Sequence, residues 1–236
     1  FPYLIRKYEL TPHMTMFGHI TAVGDCNTLG ANSLEGNSYP ERIARRIGAE
    51  VTNLGHTMAT SREGVLLLRD FLGKSDCILI QFGLADSYTT FKYAPYVLYY
   101  PDNFYRRPLR SLVKKLKKTC RKMGMNTLLG QKSVVSLEEY ERNIRAMVEM
   151  AQPQTIFLID TIPHKEVSRN TEIQRYNRVL DTIADEIEGC FKIDLYDVFA
   201  AELHRFYQDS THCSDQGYDC ITDIVCSKMQ QLDDKR

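Results

Sequence analysis

Along the chain, short unbroken apolar runs alternate with stretches whose apolar residues recur every three or four positions. The runs His19 to Gly24 (HITAVG), Glu50 to Leu54 and Asp76 to Phe82 (DCILIQF) are too short for helices. They read as strands buried on both faces. Thr155 to Asp160 and Phe191 to Leu195 extend the series to five. Helical periodicity fills the gaps. One helix begins near Tyr39 and Pro40, with Ile43, Ala44 and Ile47 as its apolar stripe and proline tolerated in the first turn. The segment SREGVLLLRDFL is expected to be capped by Ser61, and a helix from Ser136 carries Glu139 at the spacing of a capping box. Helices around Thr171 to Ile187 and from Ser214 complete the order. Such alternation predicts βα units wound on a parallel sheet. The expected fold is three-layer α/β/α, a flavodoxin-like doubly wound sheet of about five strands.

One stretch breaks the rhythm. Leu84 to Val135 is too long for an ordinary βα loop. Its first part, SYTTFKYAPYVLYYPDNFY, is rich in Tyr and Pro; its second, RRPLRSLVKKLKKTCRK, predicts a basic helix. From Lys92 to Lys132 eleven Lys or Arg face one acid, Asp102. This segment reads either as a solvated helix face or as a lid or docking surface for an anionic substrate, polymer or membrane headgroup. No nucleic-acid recognition motif accompanies it, so nucleic acid is not expected as a partner.

Composition adds limits. The 236 residues suit one domain spanning 1–236, with the insertion at about 84–135. Basic and acidic residues balance at 30 each, which argues against a globally polyanion-binding chain. Seven cysteines without a CxxC pair fit a reducing compartment. No run of about 20 apolar residues suggests a membrane span. The opening FPYLIRKYELTPHMTMFGHI is broken by Arg6, Lys7 and Glu9 and lacks a signal-peptide core. Met14 or Met16 could be a natural start, and a cytoplasmic location is expected.

The chemistry gathers at strand ends, where ligands collect in doubly wound sheets. Gly24-Asp25-Cys26-Asn27 follows the first strand, Asn53-Leu54-Gly55-His56 the second, and Gly83-Leu84-Ala85-Asp86 the third. Asp209-Ser210-Thr211-His212 precedes the last helix. In this order the four stretches resemble the SGNH, or GDSL, hydrolase superfamily. Cys26 stands at that family's nucleophilic serine, and Ala85 replaces the third-block asparagine. The last block, Asp-x-x-His, is matched in full.

The resemblance implies acyl transfer by Cys26 as nucleophile, His212 as base and Asp209 as the group orienting the imidazole. It places the oxyanion donors at the backbone N–H groups of Cys26 and Gly55. Asn27 and Asn53 are further candidates, needed because the Ala85 methyl cannot donate. Asp25, His56, Asp86, Ser87 and His164 are candidates for contact with substrate. A thiol at the nucleophile position is chemically sound for acyl transfer, and equally fits a protein that has lost hydrolysis. His13, His19 and His204 carry no assigned role. Cys213, Cys220 and Cys226 lie near His212 but match no zinc spacing, so neither metal nor cofactor is expected. Two functions follow. One is an acyl ester hydrolase or O-acyltransferase working through an acyl-enzyme on an acylated, anionic surface glycan. The other is a degenerate relative that binds or helps assemble a glycan. The sequence leaves the oligomeric state open.

Overall fold

The computed structural model describes residues 16–235; Arg6, Lys7, Glu9, His13 and Met14 lie outside it. The elements run β1 (His19–Gly24), α1 (Cys26–Leu29), α2 (Tyr39–Ile47), β2 (Glu50–Gly55), α3 (Ser61–Phe71) and β3 (Cys77–Gln81). The insertion follows as β4 (Thr89–Phe91), α4 (Arg106–Lys122), α5 (Met125–Leu128) and β5 (Gln131–Ser133). Then come α6 (Leu137–Ala151), β6 (Thr155–Ile159), α7 (Asn170–Glu186), β7 (Cys190–Ile193), α8 (Tyr196–Ala201), α9 (Leu203–Phe206) and α10 (Asp215–Asp233).

Five strands pair in parallel in the order β2-β1-β3-β6-β7. This is the doubly wound order that reverses beside β1, as the alternating pattern predicts. Within each buried strand the side chains still divide by parity. Ile20, Ala22, Cys77, Leu79, Phe157 and Ile159 face the core formed with α2 and α10. Val23, Ile78, Ile80, Ile156 and Leu158 face the core under α3, α6 and α7. Both sides are dry, which explains why the strands read as continuous apolar runs rather than as alternation.

Two details of capping differ from expectation. Thr60, not Ser61, caps α3, in a reciprocal box with Glu63. Ser61 instead donates to Asp86 Oδ1. At α6, Ser136 Oγ accepts the Glu139 N–H at 3.2 Å. The Glu139 carboxylate, however, turns to Arg62 in a two-pronged pair at 2.5 and 2.6 Å. A charge-assisted fork is a stronger partner than one backbone N–H, so the box is half made.

The insertion forms a two-stranded antiparallel ribbon, β4 with β5, and the long helix α4. One buried carboxylate fastens it to the body. Glu63 accepts from Thr60 N–H (2.9 Å) and Thr60 Oγ1 (2.6 Å), and also from Tyr96 OH (2.9 Å) and Tyr99 N–H (2.7 Å) of the insertion. Otherwise α4 has no buried residue. Among the described residues no helix is long and apolar enough to cross a membrane.

Candidate active site

Cys26 opens α1 immediately after β1, so it stands at the carboxyl edge of the sheet beside the topological reversal. Asp25 caps the same turn, its Oδ1 accepting the Asn27 N–H at 2.9 Å. The close seat of α1 depends on Gly55. A Cβ there would fall 2.3 Å from the Leu29 backbone nitrogen, so any side chain at the end of β2 would lift the turn that carries Cys26.

Burial drives the Cys26 thiol well above its ordinary pKa, and the Asp25 carboxylate pushes the same way. Hydrogen bonds from the backbone of Cys26, Met58 and Asn27 pull it down. The backbone of these three residues thus favours the thiolate, against the larger effect of burial. Asp25 is itself pushed up to about 6 by burial, against the Asn27 N–H and the charge of His212.

His212 and Asp209 form a local device, as their spacing predicts. Asp209 Oδ1 accepts the N–H groups of Thr211 (2.7 Å) and His212 (2.8 Å), while Oδ2 meets His212 Nδ1 at 2.6 Å. Burial raises the Asp209 carboxyl, but the hydrogen bonds from His212 and Thr211 outweigh it and hold the group below the usual range. Asn27 ties this loop to α1. Its Nδ2 donates to the Thr211 carbonyl (3.2 Å) and its Oδ1 accepts the Cys213 N–H (3.0 Å).

The side-chain donors expected around Cys26 are largely engaged elsewhere. Asn27 is spent on the His212 loop. Asn53 Nδ2 donates to the Thr28 carbonyl (2.8 Å) and Glu41 Oε1 (2.7 Å). Its Oδ1 takes the Gly55 N–H at 2.8 Å, which occupies the second-strand amide as well. Asp86 is fully buried, binding Ser61 through Oδ1 and leaving Oδ2 without a partner. Burial pushes it up to about 7. Ser87 Oγ donates to the Leu84 carbonyl, and His56 Nδ1 lies 3.1 Å from the Thr57 carbonyl. His164 Nδ1 accepts the Glu166 N–H at 2.9 Å, which leaves the proton on Nε2, 3.3 Å from Thr211 Oγ1. Burial, then Arg169, lowers its pKa.

A cavity of about 450 Å³ opens over Cys26. Asp25, Cys26 and Thr211 line it; His212, Asp209, His56, Asp86, Ser87 and His164 stand outside its wall. Leu84, Val97, Val113 and Val134 supply apolar surface, and the Ala85 methyl takes the place where the resemblance puts an amide. The insertion closes the far side. Each of three tyrosine rings there is flanked by two cations. Tyr88 meets Arg121 (5.0 Å) and Arg169 (4.6 Å), Tyr96 meets Arg62 (5.0 Å) and Lys117 (5.6 Å), and Tyr99 meets Arg110 (5.2 Å) and Lys114 (5.5 Å). Arg110 also pairs with Asp102. No carboxylate partner accompanies Lys114, Lys117, Arg121 or Arg169 among the described residues, so their charge is available to a ligand. Among those residues, too, no group of three or more His, Cys, Asp or Glu is placed to hold a metal ion.

Two of these positions carry no sequence signal. Met58 lines the cavity in the left-handed region (φ 62°), a conformation unusual for a side chain without a local hydrogen-bonding group. Arg169 comes from the turn before α7 and reaches the cavity by donating to the Leu84 carbonyl at 3.0 Å.

A model of the GDSL-like lipase/acylhydrolase family matches residues 22–220. The fold is similar to a lipase/acylhydrolase from Enterococcus faecalis, at 18% identity and a TM-score of 0.63, covering 91% of this chain and 96% of that one. It is also similar to a catalytic mutant of an acetylxylan esterase from Geobacillus stearothermophilus, at 16% identity and 0.61, covering 93% and 96%. A lipolytic G-D-S-L protein from Veillonella parvula aligns at 14% identity and 0.62, covering 89% and 96%. No curated protein matches the chain.

Proposed function

Because the chain belongs to the GDSL-like lipase/acylhydrolase family, we propose that it transfers an acyl group from an anionic ester through a thioester on Cys26. The observation that carries this reading is the place of Cys26, opening α1 on the wall of the cavity, with the His212–Asp209 loop tied to the same turn through Asn27. Donors fixed in the backbone suit a developing oxyanion, because they need no reorganisation as charge appears. The Met58 N–H, beside the expected Cys26 N–H, then does the work that the family resemblance assigns to a third-block amide.

In the forward step Sγ attacks the ester carbonyl carbon and the thiol proton passes to His212 Nε2. The carbonyl π pair moves onto oxygen, which the two N–H groups hold. Collapse breaks the C–O bond, and the leaving alkoxide takes the proton from His212. Water or a sugar hydroxyl then repeats the sequence in reverse, freeing the thiol. Asp209 holds Nδ1 and so leaves Nε2 open for the proton. Since burial and Asp25 keep the thiol protonated at rest, proton transfer to His212 accompanies attack instead of preceding it.

The unpaired cations around Tyr88, Tyr96 and Tyr99 select an anionic substrate. The tyrosine rings beside them suit a sugar face, and an acylated acidic glycan has both features. The test is turnover of p-nitrophenyl acetate with mass spectrometry of the trapped protein. The expected result is an acetyl adduct on Cys26 and loss of turnover in Cys26→Ala with an unchanged melting temperature. Equal rates in the two proteins would sink the reading.

A second reading, a glycan-binding protein without turnover, draws on Ala85 and on the Gly55 amide being taken by Asn53. It predicts measurable affinity for an acidic oligosaccharide and no adduct on Cys26.

A further inference from the structure

The inner side of α4 faces the cavity through Arg110, Val113, Lys117 and Arg121, while its outer side is covered by none of the described residues. Leu109, Leu112 and Leu116 recur at helical spacing on that outer side, all exposed, Leu112 to 64%. Phe104 (84%) and Tyr105 precede the stripe, and Met123 (71%) extends it. Nine of the seventeen residues of α4 are Lys or Arg and none is acidic. Lys115 and Lys122 sit on the polar flank of the stripe.

We propose that this face docks on an anionic lipid bilayer. The apolar stripe enters the headgroup boundary while the surrounding lysines and arginines meet acidic headgroups. A basic helix with a leucine and aromatic edge is the form that interfacial binding takes. Charge decides between occupants. A polyanion such as nucleic acid would engage the lysines yet leave the leucines and Phe104 in water. A second copy would bring another strongly basic helix against this one. The docking is independent of the chemistry at Cys26, although it sets the cavity mouth at the level of the headgroups.

The chain contains no tryptophan, so Leu112→Trp installs a single reporter on the stripe and Lys115→Trp one on the polar flank. Both are titrated with phosphatidylcholine vesicles, with and without phosphatidylglycerol. The expected result is a blue shift for Leu112→Trp that requires phosphatidylglycerol and is reversed by salt, with little shift for Lys115→Trp. In sedimentation with the same vesicles, Leu109→Ser/Leu112→Ser/Leu116→Ser should weaken binding at least tenfold while the thermal melt stays in place. Three results would overturn the proposal. The protein could fail to associate with the anionic vesicles. Association could be unchanged in the triple variant, which would mean charge adhesion alone. A dimer in velocity sedimentation could become monomeric in that variant, which would assign the face to a second copy.

Discussion

Helix α3 of the body and helix α4 of the insertion obey different rules. α3 buries Leu67, Leu68 and Gly64 and receives a full capping box. α4 is half again as long, buries nothing and lacks a side-chain cap. In the first, residue type is set by the space available; in the second, by what the surface must meet. The body thus holds Cys26, while the insertion holds five of the six Lys and Arg residues that line the cavity.

The sharpest way to break this division is by truncation. Leu68→Ala, at a position with no exposure, should cost about 2–5 kcal/mol in urea unfolding. Leu112→Ser in α4 should fall within about 0.5 kcal/mol of the parent. Comparable losses would mean that α4 is part of the cooperative core.

A pH series tests the body alone. Asp86 and Asp25 titrate in the folded protein near 7 and 6, both raised by burial. Their contribution is fully present below the unfolded value of about 3.9 and is lost as pH rises through those folded values. Stability should therefore decline between about pH 4 and pH 7 and level off above that. Asp86→Asn keeps the Oδ1 acceptor for Ser61 and should recover on the order of 3 kcal/mol of that decline, read from urea midpoints. A flat profile in the parent would contradict the buried, ionising carboxyls.

The cavity cations, Arg121 from the insertion and Arg169 from the body, are tested by charge. Arg121→Gln/Arg169→Gln should raise KM for an anionic ester about tenfold, or about 1.4 kcal/mol, and leave a neutral ester unchanged. A smaller effect is expected from Asn27→Ala, which frees the His212 loop. kcat should fall severalfold while KM for a neutral ester holds. If KM moved and kcat did not, Asn27 would be shaping the cavity instead of the histidine.

Much of the body could be read from the chain because burial on both faces forces long apolar runs, and five of them mark the strands to within a residue or two. The His212–Asp209 turn was legible because it is local. What escaped is long-range. Asn27 and Asn53 look like donors to a ligand by type, and only the fold brings Thr211, Cys213, Thr28 and Glu41 within their reach. The choice between Thr60 and Ser61 as cap depends on Asp86, twenty-five residues away, claiming Ser61. Nothing in a methionine's identity announces a left-handed backbone at Met58.

Glu63 gives the insertion a history. Its carboxylate takes donors from Thr60 and from Tyr96 and Tyr99, so body and insertion share the solvation of a single buried charge. A lineage that discarded the insertion would strand that charge with half its partners, at a cost of a few kcal/mol. Excision and replacement of Glu63 would have to occur together, or the neutralising change first. The same contingency faces anyone who trims the protein to a minimal version. The insertion can vary freely along α4, but its root at Tyr96 and Tyr99 is entrenched.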